Sequence, residues 1–287
     1  MGDTYTHGHQ EPVLRSHKWR TAANSAAYLV EHLRPGMDLL DVGCGPGTIT
    51  RDLARLVSPG RVVGIDREPS VIAEAGADPG FADQEDPSPA GAPGAGNAEW
   101  AGQLVSGVQF AVGDVYDLDF ADGSFDVVHA HQVLQHLSDP VSALREMYRV
   151  LRPSGLLAVR DSDYGGFLWQ PADPRLDRWR AVYHDVCTRN GADSDAGRRL
   201  PEWVRAAGFG KLSISSSTWT FADDHDRAWW GGLWADRTLG SSFTEQALEY
   251  GLTTRRELES MAEAWREWSK RADGIFIVLH VEVLARL

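Results

Sequence analysis

The chain has 287 residues, of which 43% are apolar, so it is long enough for one large α/β domain or for one domain with a sizeable insertion. Its formal net charge of −13 argues against a nucleic-acid partner, because a phosphate backbone requires a basic surface. The sequence has two cysteines, a polar N-terminus and no run near the ~20 apolar residues of a membrane helix, so we expect a reduced, cytoplasmic protein without a membrane anchor.

The first half of the sequence alternates between predicted strands and helices. After a helix over 13–33, strands are predicted over 37–42, 61–66, 108–114, 125–130 and 155–161, and helices over 48–57, 69–75 and 139–151. Residues 76–107 are rich in Gly, Ala and Pro and are predicted to form a flexible loop. The alternation is typical of a parallel sheet covered by helices.

The last third of the sequence adds helices around two further strands. Helices are predicted over 174–190 and 201–208, and strands over 211–218 and 275–284 with a mostly helical stretch between them. Eight tryptophans here are candidates for an aromatic substrate wall: Trp169, Trp179, Trp219, Trp229, Trp230, Trp234, Trp265 and Trp268. Packing between helices explains most of them, and we expect only two or three to contact a ligand.

One segment places three glycines directly after an acidic strand end. Asp41 ends the first strand, and Gly43, Gly45 and Gly47 alternate with other residues before a helix begins. Glycine lets a ligand approach the backbone closely, and the helix start offers free N–H groups. A nicotinamide-dependent dehydrogenase would have the wider spacing G-x-G-x-x-G, whereas an acid before the turn suits a ligand with a cationic amine.

Three further strands end in residues that are suited to binding a ligand. Asp66 ends the second strand, Asp114 and Val115 end the third, and Ala130, His131 and Gln132 end the fourth. Ligands of open α/β sheets lie beyond the carboxyl ends of the strands, so we expect these groups to converge. A carboxylate at the position of Asp66 can accept both hydroxyls of a ribose.

Together these motifs resemble those of the class I S-adenosylmethionine-dependent methyltransferases. Segment 39–49 resembles motif I, and two stretches between 125 and 155 resemble later motifs of ubiquinone- and menaquinone-biosynthesis-type enzymes. The resemblance implies a three-layer α/β/α Rossmann-like fold with seven strands in the order 3-2-1-4-5-7-6, the last of them antiparallel. The implied regions are an N-terminal helical lid (1–34), a cofactor-binding core (35–163) and a completing region (164–287) with helical cap insertions at about 165–200 and 222–272.

The resemblance implies S-adenosyl-L-methionine as the cofactor, and no metal. The cofactor-binding residues at matching positions are Asp41, Gly43, Cys44, Gly45, Gly47, Thr48, Asp66, Arg67, Gly113, Asp114, Val115, Ala130 and His131. In the family the acid at the position of Asp114 often bonds the adenine amino group. An arginine near the N-terminus, here Arg20, is expected to meet the cofactor carboxylate.

Three residues are candidates for a catalytic base. His131 follows the fourth strand, near the expected methyl group, and Asp161 ends the fifth strand. His7 lies in an N-terminal segment that folds over the cofactor and substrate in related enzymes. A base is needed only where the acceptor must lose a proton. His136, a little further along, is interpreted as a packing residue.

We therefore interpret the chain as a methyltransferase that acts at oxygen or carbon of a small aromatic or polycyclic metabolite, as in secondary-metabolite biosynthesis. The expected partner is a small apolar or aromatic substrate, and a homodimer is compatible with the sequence. Two alternatives stay open. One is an S-adenosylmethionine-binding enzyme of the same fold that catalyses a cyclisation or rearrangement, and the other is a non-catalytic cofactor-binding protein.

Overall fold

A computed structural model describes residues 3–6, 11–77 and 108–287, with only the backbone described at 11–14. Its strands are β1 (Leu39–Val42), β2 (Val62–Asp66), β3 (Val108–Val112), β4 (Phe125–His131), β5 (Leu151–Ser162), β6 (Leu168–Gln170), β7 (Lys211–Phe221) and β8 (Ile275–Arg286). Its helices are α1 (Glu11–Lys18), α2 (Ala22–Ser25), α3 (Ala27–Val30), α4 (Thr48–Val57), α5 (Pro69–Ala77), α6 (Pro140–Val150), α7 (Pro174–Arg189), α8 (Ala196–Ala206), α9 (Asp224–Gly240), α10 (Ser242–Glu249) and α11 (Arg255–Ser269).

Of the predicted flexible loop 76–107, the first two residues end α5, and 78–107 lie outside the described residues. Within the described ranges, no helix combines the length and the apolar character that are needed to cross a membrane.

The strands form a single sheet in which β1 to β5 are parallel. The order is β3-β2-β1-β4-β5-β8, and β7 pairs with β8 over the full length of β7. β8 runs antiparallel to both β5 and β7, so β8 takes the place of the predicted seventh strand and β7 that of the predicted sixth. The predicted Rossmann-like sheet is confirmed, but the strand order 3-2-1-4-5-7-6 differs in detail, because the described sheet has eight strands and not seven. The sequence analysis missed the short strand β6, which also pairs with β8.

Successive residues of the central strands point to opposite faces of the sheet, and different helices cover the two faces. Leu39 and Val127 pack on one face against apolar residues of α2, α3 and α4. Leu40 and Val128, their neighbours in sequence, pack on the other face against α6 and α8. The three-layer α/β/α arrangement is therefore confirmed.

The single helix predicted over 13–33 is wrong, because the chain folds there as α1, α2 and α3. The side chain of Thr21 accepts a hydrogen bond from Asn24 N, and the side chain of Asn24 accepts one from Thr21 N. This reciprocal arrangement starts a new helix. Ala26, with φ of −135°, separates α2 from α3. The apolar residues that suggested one helix, such as Leu29, are buried against the sheet all the same.

A second core, rich in aromatic side chains, joins α7, α9 and α11 to the end of the sheet. Trp179 is fully buried and contacts Trp234 and Trp265 edge to face, with ring centroids 4.6 and 5.0 Å apart. The rings of Tyr164 and Tyr183 stack beside them at 4.2 Å. This packing holds the aromatic residues of the C-terminal region in fixed positions.

Trp179→Ala is expected to lower the free energy of unfolding by about 3–5 kcal/mol, because it removes a large buried ring and leaves a cavity. Leu168→Ala in β6 is the control, since the side chain of Leu168 is 52% exposed. A substitution at such a position changes stability by less than about 0.5 kcal/mol. Urea denaturation followed by circular dichroism measures both, and equal midpoints for the two variants would contradict the placement of Trp179 in a core.

Candidate active site

A cavity of about 920 Å³ lies at the carboxyl ends of β1, β2 and β4. Its volume is near the upper end of the range for ligand pockets, about 300–1,000 Å³. One half is lined by the glycine turn and the acids at the strand ends, and the other half is lined by aromatic residues of the C-terminal region. The strand ends that the sequence analysis singled out therefore meet at one cavity.

The glycine turn between β1 and α4 approaches the cavity with its backbone. Gly43, Gly45 and Gly47 have φ of +68°, +55° and +79°, which favour glycine. A Cβ at Gly43 would lie 2.4 Å from Val133, whereas the space at Gly45 is open. Gly47 does not line the cavity: a Cβ there would lie 2.5 Å from the ring of Phe110, so this glycine serves packing against β3. The open space at Gly45 fits a ligand that lies against the main chain.

Two backbone N–H groups fix the carboxylate of Asp66 at the end of β2. Its Oδ2 accepts a hydrogen bond from Gly45 N at 3.2 Å, and its Oδ1 accepts one from Glu68 N at 3.0 Å. Each oxygen retains capacity for a further donor, as a carboxylate that binds ribose hydroxyls requires. Asp114 lies just beyond the end of the neighbouring strand β3, where it accepts a hydrogen bond from Tyr116 N at 3.0 Å.

Side chains from α4 and β4 hold Asp41, which is buried in the cavity wall. Its Oδ2 accepts from Thr50 Oγ1 at 2.5 Å, and its Oδ1 lies 2.7 Å from His129 Nδ1. Asp41 and His129 are partners in the register of β1 and β4. The sequence analysis missed His129, and the signal that could have found it is this register once the two strands are paired.

Most of the predicted cofactor-binding residues line the cavity. They are Asp41, Gly43, Cys44, Gly45, Thr48, Asp66, Arg67, Gly113, Asp114, Val115 and His131. Ala130 does not line it, because its side chain packs into the core on one face of the sheet. Burial raises the pKa of the Cys44 thiol, so this group is uncharged at neutral pH. His7, the third candidate base, lies outside the described residues.

Asp161, the predicted catalytic carboxylate, does not line the cavity. It is fully buried near the end of β5, and its Oδ1 accepts a hydrogen bond from Gln135 N at 3.3 Å. Burial raises its pKa to about 8. The structure therefore gives Asp161 no contact with a substrate in this cavity, and the carboxyl group is largely protonated at neutral pH.

Asp161→Asn is expected to flatten the dependence of stability on pH. The pKa of Asp161 is raised in the fold above its value of about 3.9 in an unfolded chain. The protonated group therefore stabilises the fold at low pH, and this contribution is lost as the pH rises from about 4 to about 8. Asp161→Asn removes the titrating group, so its melting temperature should fall less over this range than that of the wild type.

Differential scanning calorimetry at several pH values measures the effect. Asp185→Asn, at an exposed position of α7, is the matched control and should follow the wild-type curve. Parallel curves for the wild type and Asp161→Asn would contradict the raised pKa.

Aromatic rings line the other half of the cavity. Tyr164 and Phe167 stack with centroids 4.3 Å apart, and Trp219, Trp230 and Trp234 complete this wall together with residues from the N-terminal region. Of the eight tryptophans considered in the sequence, these three line the cavity, and the others pack into or against the aromatic core. Flat apolar surfaces of this kind suit an aromatic ligand.

Two of the described residues 3–6, Asp3 and Tyr5, line the cavity and contact distant parts of the chain. Asp3 accepts hydrogen bonds from the Tyr116 hydroxyl at 2.8 Å and from Ser138 N at 3.0 Å. Tyr5 lines the cavity and meets the ring of His136 edge-on, with centroids 4.7 Å apart. Burial raises the pKa of Tyr5 to about 12 and lowers that of His136 to about 3, so both are uncharged at neutral pH.

His131 lies at the end of β4, in contact with both halves of the cavity. Its Nδ1 is 3.4 Å from Arg160 Nη1, and its ring centroid is 5.8 Å from that of Trp219. Burial, and then the positive charges of Arg160 and Arg20, lower the pKa of His131 well below its ordinary value. Because Arg160 can only donate, the neutral ring carries its proton on Nε2. Such a histidine is a weak base, so the surroundings favour hydrogen bonding over proton removal.

Gln132, at the end of the fourth strand, lines the cavity but was not among the predicted cofactor-binding residues. Its Oε1 accepts a hydrogen bond from Arg20 Nη2 at 2.7 Å, and its Nε2 lies 2.8 Å from His280 Nε2. Its φ of +54° is uncommon for a residue other than glycine, and such outliers cluster at functional sites. No local pattern in the sequence indicates this conformation.

Comparison with known proteins identifies the family. Residues 40–159 match the model of a methyltransferase domain family. The chain is 30% identical to an uncharacterised methyltransferase of Schizosaccharomyces pombe, over 98% of this chain and 95% of that protein. It is 31% identical to the 2-phytyl-1,4-naphtoquinone methyltransferase of Synechococcus elongatus, over 53% of this chain and 54% of that enzyme. The crystal structure of the YcgJ protein from Bacillus subtilis has the same fold, with a TM-score of 0.54 and 18% identity over 94% of this chain and 98% of that chain.

The sheet order, the glycine turn and the strand-end acids around one cavity define a Rossmann-like enzyme that binds a nucleoside-containing ligand. The chain belongs to the class I S-adenosylmethionine-dependent methyltransferases. Its cofactor is S-adenosyl-L-methionine, and the open backbone surface at Gly45 and the carboxylate of Asp66 fit that group.

Proposed function

We propose that this methyltransferase acts at oxygen or carbon of a small aromatic or polycyclic metabolite, of the kind made in secondary metabolism. The observation that carries the proposal is the aromatic wall of Tyr164, Phe167, Trp219, Trp230 and Trp234 in the same cavity as the glycine turn. The name of the relative from Synechococcus elongatus, a naphthoquinone methyltransferase, supports an acceptor with fused rings.

The described residues divide the tasks of cofactor binding among them. Asp66 would accept hydrogen bonds from the ribose hydroxyls, and Asp114 would accept one from the adenine amino group. The backbone at Gly43 and Gly45 would lie against the nucleoside. Arg20, which donates to Gln132 beyond the end of β4, would meet the cofactor carboxylate. Buried hydrogen bonds between charged groups of this kind are about twice as strong as neutral ones.

The residues of the cavity contribute orientation and the exclusion of water. When bound, S-adenosylmethionine supplies a methyl group on a sulfonium, and its thioether leaves without a proton. The aromatic half of the cavity would hold the acceptor in line with the methyl group and the sulfur, and Asp3 and Tyr5 would help to keep water out. Orientation of this kind supplies up to ~7–11 kcal/mol in favourable cases. His131 would donate a hydrogen bond or position the acceptor, because its surroundings disfavour the cationic form.

The proposal is tested by incubating the protein with S-adenosylmethionine carrying a deuterated methyl group and a panel of phenols, naphthols and quinones. Mass spectrometry should find a product that has gained the labelled methyl group. A product formed only with cofactor but without the label would favour the cyclisation or rearrangement alternative. Cofactor binding without any product across a broad metabolite extract would favour a non-catalytic role.

A further inference from the structure

A buried ion pair lies behind the cavity wall, between β5 and β8. Arg160 and Glu282 are partners in the register of these strands, and Arg160 Nε lies 3.3 Å from Glu282 Oε1. The hydroxyls of Ser215 and Ser217 on β7 also donate to the Glu282 carboxylate. Both charged side chains are almost fully buried, and neither residue lines the cavity. None of the contacts assigned to the cofactor or the acceptor involves this pair.

Arg160 contacts two residues that do line the cavity. It is the register partner of His131 on β4, and its Nη1 lies 3.4 Å from His131 Nδ1. Its guanidinium also lies 5.1 Å from the centroid of the Trp219 ring, which is within the range of a cation–π contact. Arg160 therefore connects Glu282 to the cavity wall.

The ion pair places a positive charge beside Nδ1 of His131. Burial lowers the pKa of Arg160 to about 10, and the negative charge of Glu282 opposes this lowering. Arg160 is therefore charged at neutral pH, and its N–H groups can only donate hydrogen bonds. The form of His131 that accepts at Nδ1 is the neutral ring with its proton on Nε2.

The charged and titratable groups with the largest effects on His131 all disfavour its cationic form. After burial, these are Arg160 on β5 and Arg20 after α1, followed by His280 on β8 and His129 on β4, and each lowers the pKa of His131. Nε2 of His131 is buried and has no hydrogen-bond partner among the side chains that the structure describes. A buried donor without a partner is unfavourable, and an oxygen atom of a bound molecule would supply the partner.

We propose that Arg160, held by Glu282, is a positioning residue that fixes the Nε2–H of His131 as a hydrogen-bond donor to an oxygen atom of the acceptor. This inference rests on the proposed function and narrows its substrate class to aromatic acceptors that carry an oxygen, such as a ketone, a quinone or a phenol. Arg160 contacts neither ligand and acts through His131. Replacement of both members of a buried ion pair by uncharged side chains is often neutral for stability, so this role can be separated from a purely structural one.

Nuclear magnetic resonance of the histidine ring nitrogens tests the action of the ion pair. In wild-type protein with isotopically labelled histidine and saturating S-adenosylhomocysteine, His131 should keep a protonated Nε2 and an unprotonated Nδ1 from about pH 6 to about pH 8, where an unperturbed histidine titrates. The signals are assigned by their absence in His131→Leu. The double variant Arg160→Met/Glu282→Gln should lose this single tautomer, so that both nitrogens give intermediate shifts. Arg152→Met/Asp126→Asn is the matched control and should keep the tautomer, because it removes an ion pair at the other end of β5, away from the cavity.

A pair of probes tests the hydrogen bond to the acceptor. 2-Acetylnaphthalene and 2-isopropenylnaphthalene have the same rings and nearly the same shape, but only the first carries a carbonyl oxygen. Both are titrated by calorimetry into protein saturated with S-adenosylhomocysteine. The wild type should bind the ketone about twofold to tenfold more tightly, which is the range for one neutral hydrogen bond. His131→Leu and the double variant should lose this preference, and the control variant should keep it.

Several results would overturn the proposal. One is a proton on Nδ1, or a cationic ring, for His131 in the wild type at neutral pH, and this measurement decides even if the double variant does not fold. Another is a double variant that keeps the single tautomer, since the ion pair would then serve stability alone. Equal affinities of the wild type for the two probes would overturn the proposal but leave the aromatic acceptor in place. Failure of the proposed function gives a different result, because the wild type would then bind neither naphthalene, and this inference would fail with it.

Discussion

Asp66→Ala should weaken the binding of S-adenosylmethionine about tenfold or more, because one hydrogen bond to a charged group contributes ~1.5–3 kcal/mol. The carboxylate is partly buried in the cavity wall and is already oriented by Gly45 N and Glu68 N. The substitution removes the acceptor for the ribose hydroxyls and also releases the N–H of Gly45 from its partner. Calorimetric titration with S-adenosylhomocysteine measures the loss without turnover.

Two further variants separate charge from shape at this position. Asp66→Asn keeps one acceptor oxygen and the size of the side chain, so its affinity should lie between those of the wild type and Asp66→Ala. Asp119→Ala removes an exposed carboxylate that does not line the cavity, and its affinity should equal that of the wild type. An unchanged affinity in Asp66→Ala would mean that the nucleoside binds elsewhere.

The cofactor half of the cavity could be predicted because each of its parts is local in sequence. The turn at Gly43 and Gly45 follows directly from a strand and precedes a helix, and Asp66 is the last residue of the next strand. Parallel pairing then brings the carboxyl ends together, whatever the loops between them do. Gly47 shows the limit of this reasoning, because its place in the motif reflects packing against Phe110 and not contact with the cavity.

The aromatic half of the cavity could not be predicted in the same way, because its residues meet only through tertiary packing. Arg237 donates a hydrogen bond to Ser16, and both residues line the cavity although they are 221 positions apart. The bonded cavity residues Arg20 and Gln132 are 112 positions apart. Trp234 on α9 and Trp265 on α11 both occur at helical spacing among other apolar residues. Periodicity alone therefore cannot separate Trp234, which lines the cavity, from Trp265, which does not.

Polar residues within strands present a related difficulty. Asp161 and His129 both occupy strands and both are fully buried, yet sequence reasoning selected the first for catalysis and overlooked the second. The difference lies in register: His129 is paired with Asp41 across β1 and β4, whereas Asp161 is paired with Val281 on the antiparallel strand β8. Register across a sheet is set by the whole fold, so the contact of His129 with Asp41 in the cavity wall emerges only once the strands are aligned.

Gly45→Ala should abolish most of the affinity for the cofactor while leaving the fold intact. A Cβ at Gly45 would meet no protein atom within 4 Å, and the position lines the cavity, so the methyl group would stand in the space that the ligand needs. Overpacking of a fitted site costs about 1–3 kcal/mol, which corresponds to a loss of affinity of about tenfold or more. Titration with S-adenosylhomocysteine measures it.

Gly36→Ala supplies the matched control, because Gly36 also has a positive φ, of +88°, and open space around it, but lies away from the cavity. Both substitutions carry the cost of a side chain in the left-handed region, about 1–2 kcal/mol of stability. Only Gly45→Ala should also lose cofactor affinity. The contrary result would be that both variants lose stability alike and bind S-adenosylhomocysteine as the wild type does. The cofactor would then not lie against the glycine turn. The proposal that the acceptor binds in the opposite, aromatic half would fail with it, because that proposal assumes the cofactor at the turn.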